Sequence, residues 1–293
     1  MKTVLLIATF EEGAYAHVIN KVLKDEGYLV YMFDHRKFVL SYGKVEADKY
    51  LKGLYKNIEL DYILSIKGRE LFPSTIESLN GEKILWWFDS AIRYSDFEEH
   101  AAVYDKCWVV EEGQGYPWMP LGIDLDIHHP IQTDDPAFKS DCTFIGTGHP
   151  KRIMKVIKMT HNLPYDIKIW GNDWYEGTPN HVGKAIYWDN LMKAYAGSKI
   201  ILNAHYIPGI TPNMRAIEAP ASGTMVLSDT GPGLEQCFKK GTEYVPYNTI
   251  KEARQMIRKY MEEPEEREKI GLAGYKRVIK DHLLKYRIEE MFK

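Results

Sequence analysis

Short apolar runs alternate along the chain with longer stretches whose apolar residues recur every three or four positions. The first run, KTVLLIATF, is partly β-branched and ends in a polar loop, which predicts a buried strand. In AYAHVINKVLKDEG, Ala16, Ile19, Val22 and Leu23 share one helical face and Gly27 supplies a stop. YLVYMFD follows as a strand, and strand–helix–strand opens a doubly wound sheet. DYILSIKG, KILWWFD and KCWVVEE extend the strand series. GYPWMPLGIDLDIHHPIQTDDPAF then breaks the pattern with four prolines and several aspartates, as a connector would. The alternation restarts with strands at CTFIG, YDIKIWG, KIILNA, GTMVLSD and TEYVPY and helices between them. The tail is helical, with Ile250, Ala253, Met256, Ile257 and Met261 on one face. We expect an α/β protein with domains at 1–122 and 141–275, a linker at 123–140 and a closing helical segment at 276–293.

Composition narrows the class. Hydrophobic residues at 45% and charged residues at 27% describe a globular chain with a real core. The net charge of −3 offers no global attraction for nucleic acid or an anionic membrane surface. Three cysteines, Cys107, Cys142 and Cys237, lie far apart with no CxxC, so we expect neither a disulfide framework nor a zinc site, but a reducing compartment. The N-terminal apolar run is too short for a signal peptide and no stretch approaches a membrane span, so a cytoplasmic protein is expected.

Doubly wound domains bind ligands beyond the carboxyl ends of their strands, and two of them joined by a short linker would face a cleft. That selects the loops. TPNMRAIEAPASG begins with Thr211 as N-cap and Pro212 at the first helical position, and Gly223 suits its end. Its first turn, with the N–H groups of Asn213, Met214 and Arg215, suits a diphosphate, and Glu218 one turn on suits two vicinal hydroxyls. A surface Arg215–Glu218 pair is the bland alternative. FIGTGHPKR places Gly146, Thr147 and Arg152 between a strand and a helix start; IWGNDWY does the same with Gly171 and Asn172. Trp174 either covers a ligand or packs on its own domain, and Tyr187 in AIYWDN either meets a nucleobase or closes the hydrophobic layer.

With these segments in view, the second half resembles the group 1 glycosyltransferases of GT-B fold, in their spore-maturation-protein-B-like branch. FIGTGHPKR, KIWGNDW, SKIILNAHYIPGITPNMRAIEAPASG, LEQCFKKGTEYVPY, the terminal HLLKYR and the turn WMPLGIDLDIHHP carry the resemblance in order. It implies two Rossmann-like domains, a nucleoside-diphosphate-sugar donor (a UDP-sugar among the candidates) in the C-terminal one, an acceptor in the N-terminal one, and a last helix that crosses back. Glu218 would contact the donor ribose, with Arg215 and the Gly146 loop near the diphosphate. Many retaining members carry a second acid eight positions earlier, where this chain has Ile210, so inverting and retaining chemistry both stay open. Pro220, unusual for the branch, should end or kink the helix.

Glycosyl transfer expects cations at the departing diphosphate and, if the reaction inverts, a base for the acceptor hydroxyl. Asp89 and Glu11, at strand ends of the first domain, are the candidates; Asp89 before Ser90 also reads as a helix cap. His128 and His129 in HHP read as part of a connector, so no metal and no cofactor beyond the donor are expected. The acceptor, whether carbohydrate, protein or nucleic acid, and the oligomeric state stay open. A GT-B-type sugar-nucleotide epimerase, a phosphorylase and a non-catalytic nucleotide-sugar-binding module are the other readings.

Overall fold

A computed structural model describes residues 1–89, 94–205 and 212–293. The chain divides into two compact units, Met1–Pro120 with Leu284–Lys293, and Leu121–Leu283.

The first unit runs β1 (Thr3–Ala8), α1 (Ala16–Asp25), β2 (Leu29–Asp34), α2 (His35–Tyr42), α3 (Lys44–Tyr55), β3 (Tyr62–Ile66), α4 (Pro73–Glu77), β4 (Glu82–Trp87), α5 (Phe97–Ala101) and β5 (Lys106–Val109). Its sheet is parallel in the order β2-β1-β3-β4-β5. Val4 to Ala8 are fully buried because β1 is central and covered on both faces, which is why the run reads as continuously apolar. Gly27 ends the turn after α1 with φ 83°, a left-handed conformation that favours glycine. One face of the sheet packs Leu5, Ile7, Ile63 and Leu85 against Leu51 and Ile76.

The second unit runs β6 (Ser140–Ile145), α6 (Pro150–Thr160), β7 (Ile167–Trp170), β8 (His181–Gly183), α7 (Trp188–Ala196), β9 (Ser198–Asn203), α8 (Met214–Glu218), a 3-10 turn (Ala219–Ser222), β10 (Met225–Asp229), α9 (Pro232–Cys237), β11 (Val245–Tyr247), α10 (Ile250–Glu262) and α11 (Pro264–Asp281). The parallel sheet has the order β11-β10-β9-β6-β7-β8. Every strand read from the sequence is present; β8 was not foreseen, because three half-exposed residues carry no apolar run. On α10, Ala253 and Ile257 are buried in the unit's core and Ile250, Met256 and Met261 pack at its margin.

Two expected boundaries shift. Residues 123–140, read as a connector, fall within the second unit, which starts at Leu121 and where the Ile123 N–H donates to the His282 carbonyl at 2.8 Å. The return to the first unit begins at Leu284, not at residue 276, because α11 runs unbroken to Asp281. The last helix, α12 (Leu284–Met291), is then held in the first unit by Arg287 Nε on the Pro120 carbonyl at 3.1 Å and by Phe292 stacked on Tyr62 at 4.2 Å. Among the described residues no helix is long and apolar enough to cross a membrane.

Candidate functional site

In the second unit the strand order reverses direction between β6 and β9, so the carboxyl ends of these strands flank a topological switch point. β6 leads into Gly146, β7 into Gly171, β9 ends on Asn203, and β10 ends on Asp229. A polar network joins them. Arg215, 7% exposed, turns inward from α8, donating from Nε to the Ile145 carbonyl at 2.5 Å and from Nη1 to Asn203 Oδ1 at 2.7 Å. Its guanidinium lies over the Phe144 ring, 4.2 Å from the centroid. Asp229 takes Lys155 Nζ at 2.5 Å, the His205 backbone N–H at 3.1 and 3.0 Å, and His205 Nδ1 at 2.6 Å. With Nδ1 donating, Nε2 is the accepting nitrogen, and it receives the Asn213 N–H at 3.4 Å.

The electrostatics follow from burial and partners. Burial pushes the Arg215 guanidinium pKa down. Arg152 is lowered to about 10, first by burial and then by Arg215. Burial alone would raise Asp229, but the hydrogen bond and charge of His205, then those of Lys155, leave it lowered. Burial raises Glu218, with the Tyr195 hydroxyl and the Arg215 charge opposing in part. That hydroxyl donates to Glu218 Oε1 at 2.9 Å.

The glycines of these loops stand against protein atoms. A Cβ at Gly146 would lie 1.9 Å from Arg215 Nη2, one at Gly171 2.1 Å from the Gly146 carbonyl, and one at Gly148 2.3 Å from the Asp173 carbonyl. These glycines admit protein atoms: the buried arginine and the neighbouring loop. The Gly146 and Gly148 N–H groups donate to the Trp170 and Asn172 carbonyls. Trp174 packs on its own domain, its Nε1 donating to the Gly146 carbonyl at 2.9 Å.

The helix start is also occupied in part. Thr211 and Ile210 lie outside the described residues. The N-cap is Asn213, whose Oδ1 takes the Ala216 N–H at 3.0 Å, while its own N–H goes to His205. Pro220 does end the α-helix: a 3-10 turn follows and Gly223 closes it at φ 79°. Arg215 is therefore no surface partner of Glu218.

Of the residues expected in this unit, Gly146, Thr147, Arg152, Gly171, Asn172, Asn213, Met214 and Arg215 lie on or beside the loops at the carboxyl edge, and Glu218 stands at the far end of α8. Arg152 reaches the Thr147 carbonyl at 2.8 Å and the Ala204 carbonyl at 3.2 Å. Asn172 Oδ1 takes the Ala185 N–H at 3.2 Å, drawing the segment before α7 to the same edge, and half-buried Tyr187 caps that helix. Lys155, Asn203, His205 and Asp229 were missed. Polar residues closing apolar strands, as in KIILN and MVLSD, were the available signal.

In the first unit Asp89 follows β4 and faces Lys67 Nζ at 2.6 Å, with the Tyr94 hydroxyl donating at 3.1 Å. Both lie on a cavity of about 350 Å³ whose lining also includes Tyr15, His35, Arg36 and Trp87. Glu11 does not line it; its carboxylate is 71% exposed, 3.7 Å from Arg36. Ser90, the other half of the expected cap at Asp89, lies outside the described residues. His128 is buried and its Nδ1 takes the Asp124 N–H at 3.2 Å within its own turn. Burial lowers its pKa to about 4.

Residues 151–293 match the family described as "Glycosyl transferase-like". Among curated proteins, the spore protein CgeB of Bacillus subtilis is 21% identical over 278 residues, spanning 84% of this chain and 85% of that protein. Among solved structures, sucrose-phosphate synthase of Thermosynechococcus elongatus superposes with a TM-score of 0.73 at 13% identity, over 100% of this chain and 98% of that one. HepE of Anabaena, solved with UDP-glucose, gives 0.75 at 11% identity over 99% of both chains. The architecture is that of the GT-B fold. With the family match over residues 151–293, it supports a GT-B glycosyltransferase of the group 1 type.

Proposed function

We propose that the carboxyl edge of the second unit binds a nucleoside-diphosphate sugar and that the protein transfers its sugar to an acceptor hydroxyl. The observation that carries this reading is that Arg152 and Arg215 converge at the β6/β9 switch point, with Lys155 beside them on Asp229 at the end of β10 and Glu218 one helical turn beyond Arg215. Fixed cations held by the protein's own acceptors stabilise charge as it develops on a departing diphosphate, with no reorganisation during the reaction. The bond from the anomeric carbon to the diphosphate oxygen breaks with its electron pair on the diphosphate. The acceptor oxygen bonds to that carbon, and its proton passes to a base, for which Asp89 is the better placed of the two candidates. Arg152 and Arg215, held by neutral oxygens, supply this neutralisation from side chains, which supports a metal-independent reaction. Glu218, with Tyr195 on Oε1, accepts the ribose hydroxyls through its carboxylate. HepE, a relative in fold, is solved with UDP-glucose, which supports a UDP-sugar as the first donor to test. Free thiols at Cys107, Cys142 and Cys237 suit a reducing, cytoplasmic setting.

Thermal-shift titrations with UDP, GDP, ADP and dTDP sugars test the reading. At least one nucleotide sugar should raise the melting temperature, and Glu218→Ala and Arg152→Ala should each weaken apparent affinity by about tenfold or more. Responses left unchanged by both substitutions would remove the donor site from this edge.

A further inference from the structure

We propose that the cavity of the first unit is a binding site for a single sugar ring, so that the acceptor is a carbohydrate rather than a peptide or a nucleic acid. The inference rests on the glycosyl-transfer reading above and names the chemistry of its acceptor.

The position comes first. In the order β2-β1-β3-β4-β5 the winding reverses between β1 and β3, and ligands of such sheets lie beyond the carboxyl ends at that point. The cavity is lined by residues that follow β1, β2, β3 and β4 at that same end, and so occupies the first unit's own switch point.

Size and chemistry narrow the ligand. A volume of about 350 Å³ sits at the low end of small-molecule pockets, roughly 300–1,000 Å³, and takes one ring rather than a length of chain. Tyr15, Trp87, Phe88 and Tyr94 give it aromatic walls for the C–H faces of a sugar. Its charges are paired within the unit: Lys67 with Asp89 at 2.6 Å, His35 Nδ1 with Glu70 at 2.9 Å, Arg69 with Asp96 at 2.8 Å and, at the longer distance of 3.7 Å, Arg36 with Glu11. Paired groups present alternating donors and acceptors, the complement of hydroxyls that both give and receive hydrogen bonds. They do not present the uncompensated cationic field that a phosphate backbone requires.

Two further features point to an occupant. His35 is 2% exposed and lines the cavity, and its Nε2 has no hydrogen-bond partner among the described residues. A buried ring nitrogen without a partner is costly unless a ligand or water completes it. Lys67, the first residue after β3, is held at φ 64°, a left-handed conformation rare outside glycine that persists where the surroundings impose it. That conformation accompanies an ammonium set against Asp89, in position to share the carboxylate with an incoming hydroxyl.

Saturation-transfer NMR on the full chain, with glucose, galactose, mannose, rhamnose and N-acetylglucosamine as probes, tests the site. A serine-containing peptide and a single-stranded oligonucleotide form the competing arms. At least one sugar should give a saturable signal that Asp89→Asn and Lys67→Gly each weaken by about tenfold. Lys67→Gly removes the ammonium at a backbone position that glycine accepts, so its fold is retained. The nucleotide-induced thermal shift should persist in both variants. No sugar signal, a signal indifferent to both substitutions, or peptide or oligonucleotide binding that Asp89→Asn abolishes would each overturn the proposal. A sugar signal without any nucleotide response would instead sink the donor reading and leave this site standing.

Discussion

Among the described residues, the carboxyl edge of the second unit is filled with protein side chains, and that of the first is hollow. In the second, a buried arginine occupies the space left by Gly146, and Asn203, His205 and Asp229 bond one another across strand ends. In the first, paired charges and aromatic rings surround about 350 Å³ of space, and a buried imidazole nitrogen has no partner among the described residues. Both edges lie at switch points of parallel sheets, so topology alone does not separate them. The difference lies in what completes the hydrogen bonds. The filled edge is preorganised: its cations are oriented by protein acceptors before any ligand arrives. The hollow edge keeps donors and acceptors that a ligand can complete.

The largest effect should come from emptying the filled edge. Arg215→Met leaves the Ile145 carbonyl without its donor and removes the charge balancing Glu218 and Asp229. A loss of about 3 kcal/mol or more is expected, read by chemical denaturation. Gly146→Ala forces a Cβ to 1.9 Å from Arg215 Nη2 and should cost about 1–3 kcal/mol by overpacking. In the Arg215→Met background that clash is gone, so the double mutant should fall short of the sum by about 1 kcal/mol or more. Additive losses would show that Gly146 has a reason other than the arginine.

That coupling also explains what could be read from the sequence. The strands of both sheets were legible because parallel strands buried on two faces are continuous apolar runs, as TVLLIA and KIILN show. Gly146, Arg152, Arg215 and Glu218 were legible as a group because glycine and arginine at strand and helix ends are few. The direction of Arg215 was not. Its inward turn depends on space at residue 146 and on an acceptor at residue 203, brought together only by the pairing of β6 with β9. Lys155, His205 and Asp229 escaped for the same reason: they meet from separate elements, with partners up to 74 positions apart in sequence. The hollow edge was harder still, since Tyr15, His35, Lys67 and Trp87 form no local motif, and of that cavity only Asp89 was foreseen.

Acid offers a second way to separate the units. His128, in the second, is 3% exposed and burial lowers its pKa to about 4. In the unfolded chain it returns to about 6.5. The folded state thus resists protonation, so this contribution is complete above about 6.5 and declines as the pH falls toward 4. The loss approaches about 3 kcal/mol at the lower end. His128→Gln should flatten the stability profile of the full chain between these limits. In the first unit the paired histidine has the opposite influence: the His35 ring holds Glu70 down at about 2, so that carboxylate stays ionised throughout the same window. A profile equally steep in the variant would assign the acid sensitivity elsewhere.

The smallest expected effect probes the one acid of the filled edge that the ribose reading uses. Tyr195→Phe deletes the hydroxyl that donates to Glu218 Oε1 at 2.9 Å, at a stability cost of about 1 kcal/mol. Its more informative consequence is on pH. Burial already raises Glu218, and the tyrosine hydrogen bond is among the interactions that oppose the rise. Removing it should raise the carboxyl further. If the ionised carboxylate accepts the ribose hydroxyls, nucleotide affinity declines on acidification as Glu218 protonates, and in Tyr195→Phe that decline should begin at a higher pH than in the parent. Calorimetric titrations of a responding nucleotide across the acid range distinguish the two curves. A uniform loss of affinity with an unmoved acid limb would show that Tyr195 shapes the pocket without acting through Glu218. The same experiment on Lys67→Gly should leave the nucleotide curve in place if the second unit alone holds the donor.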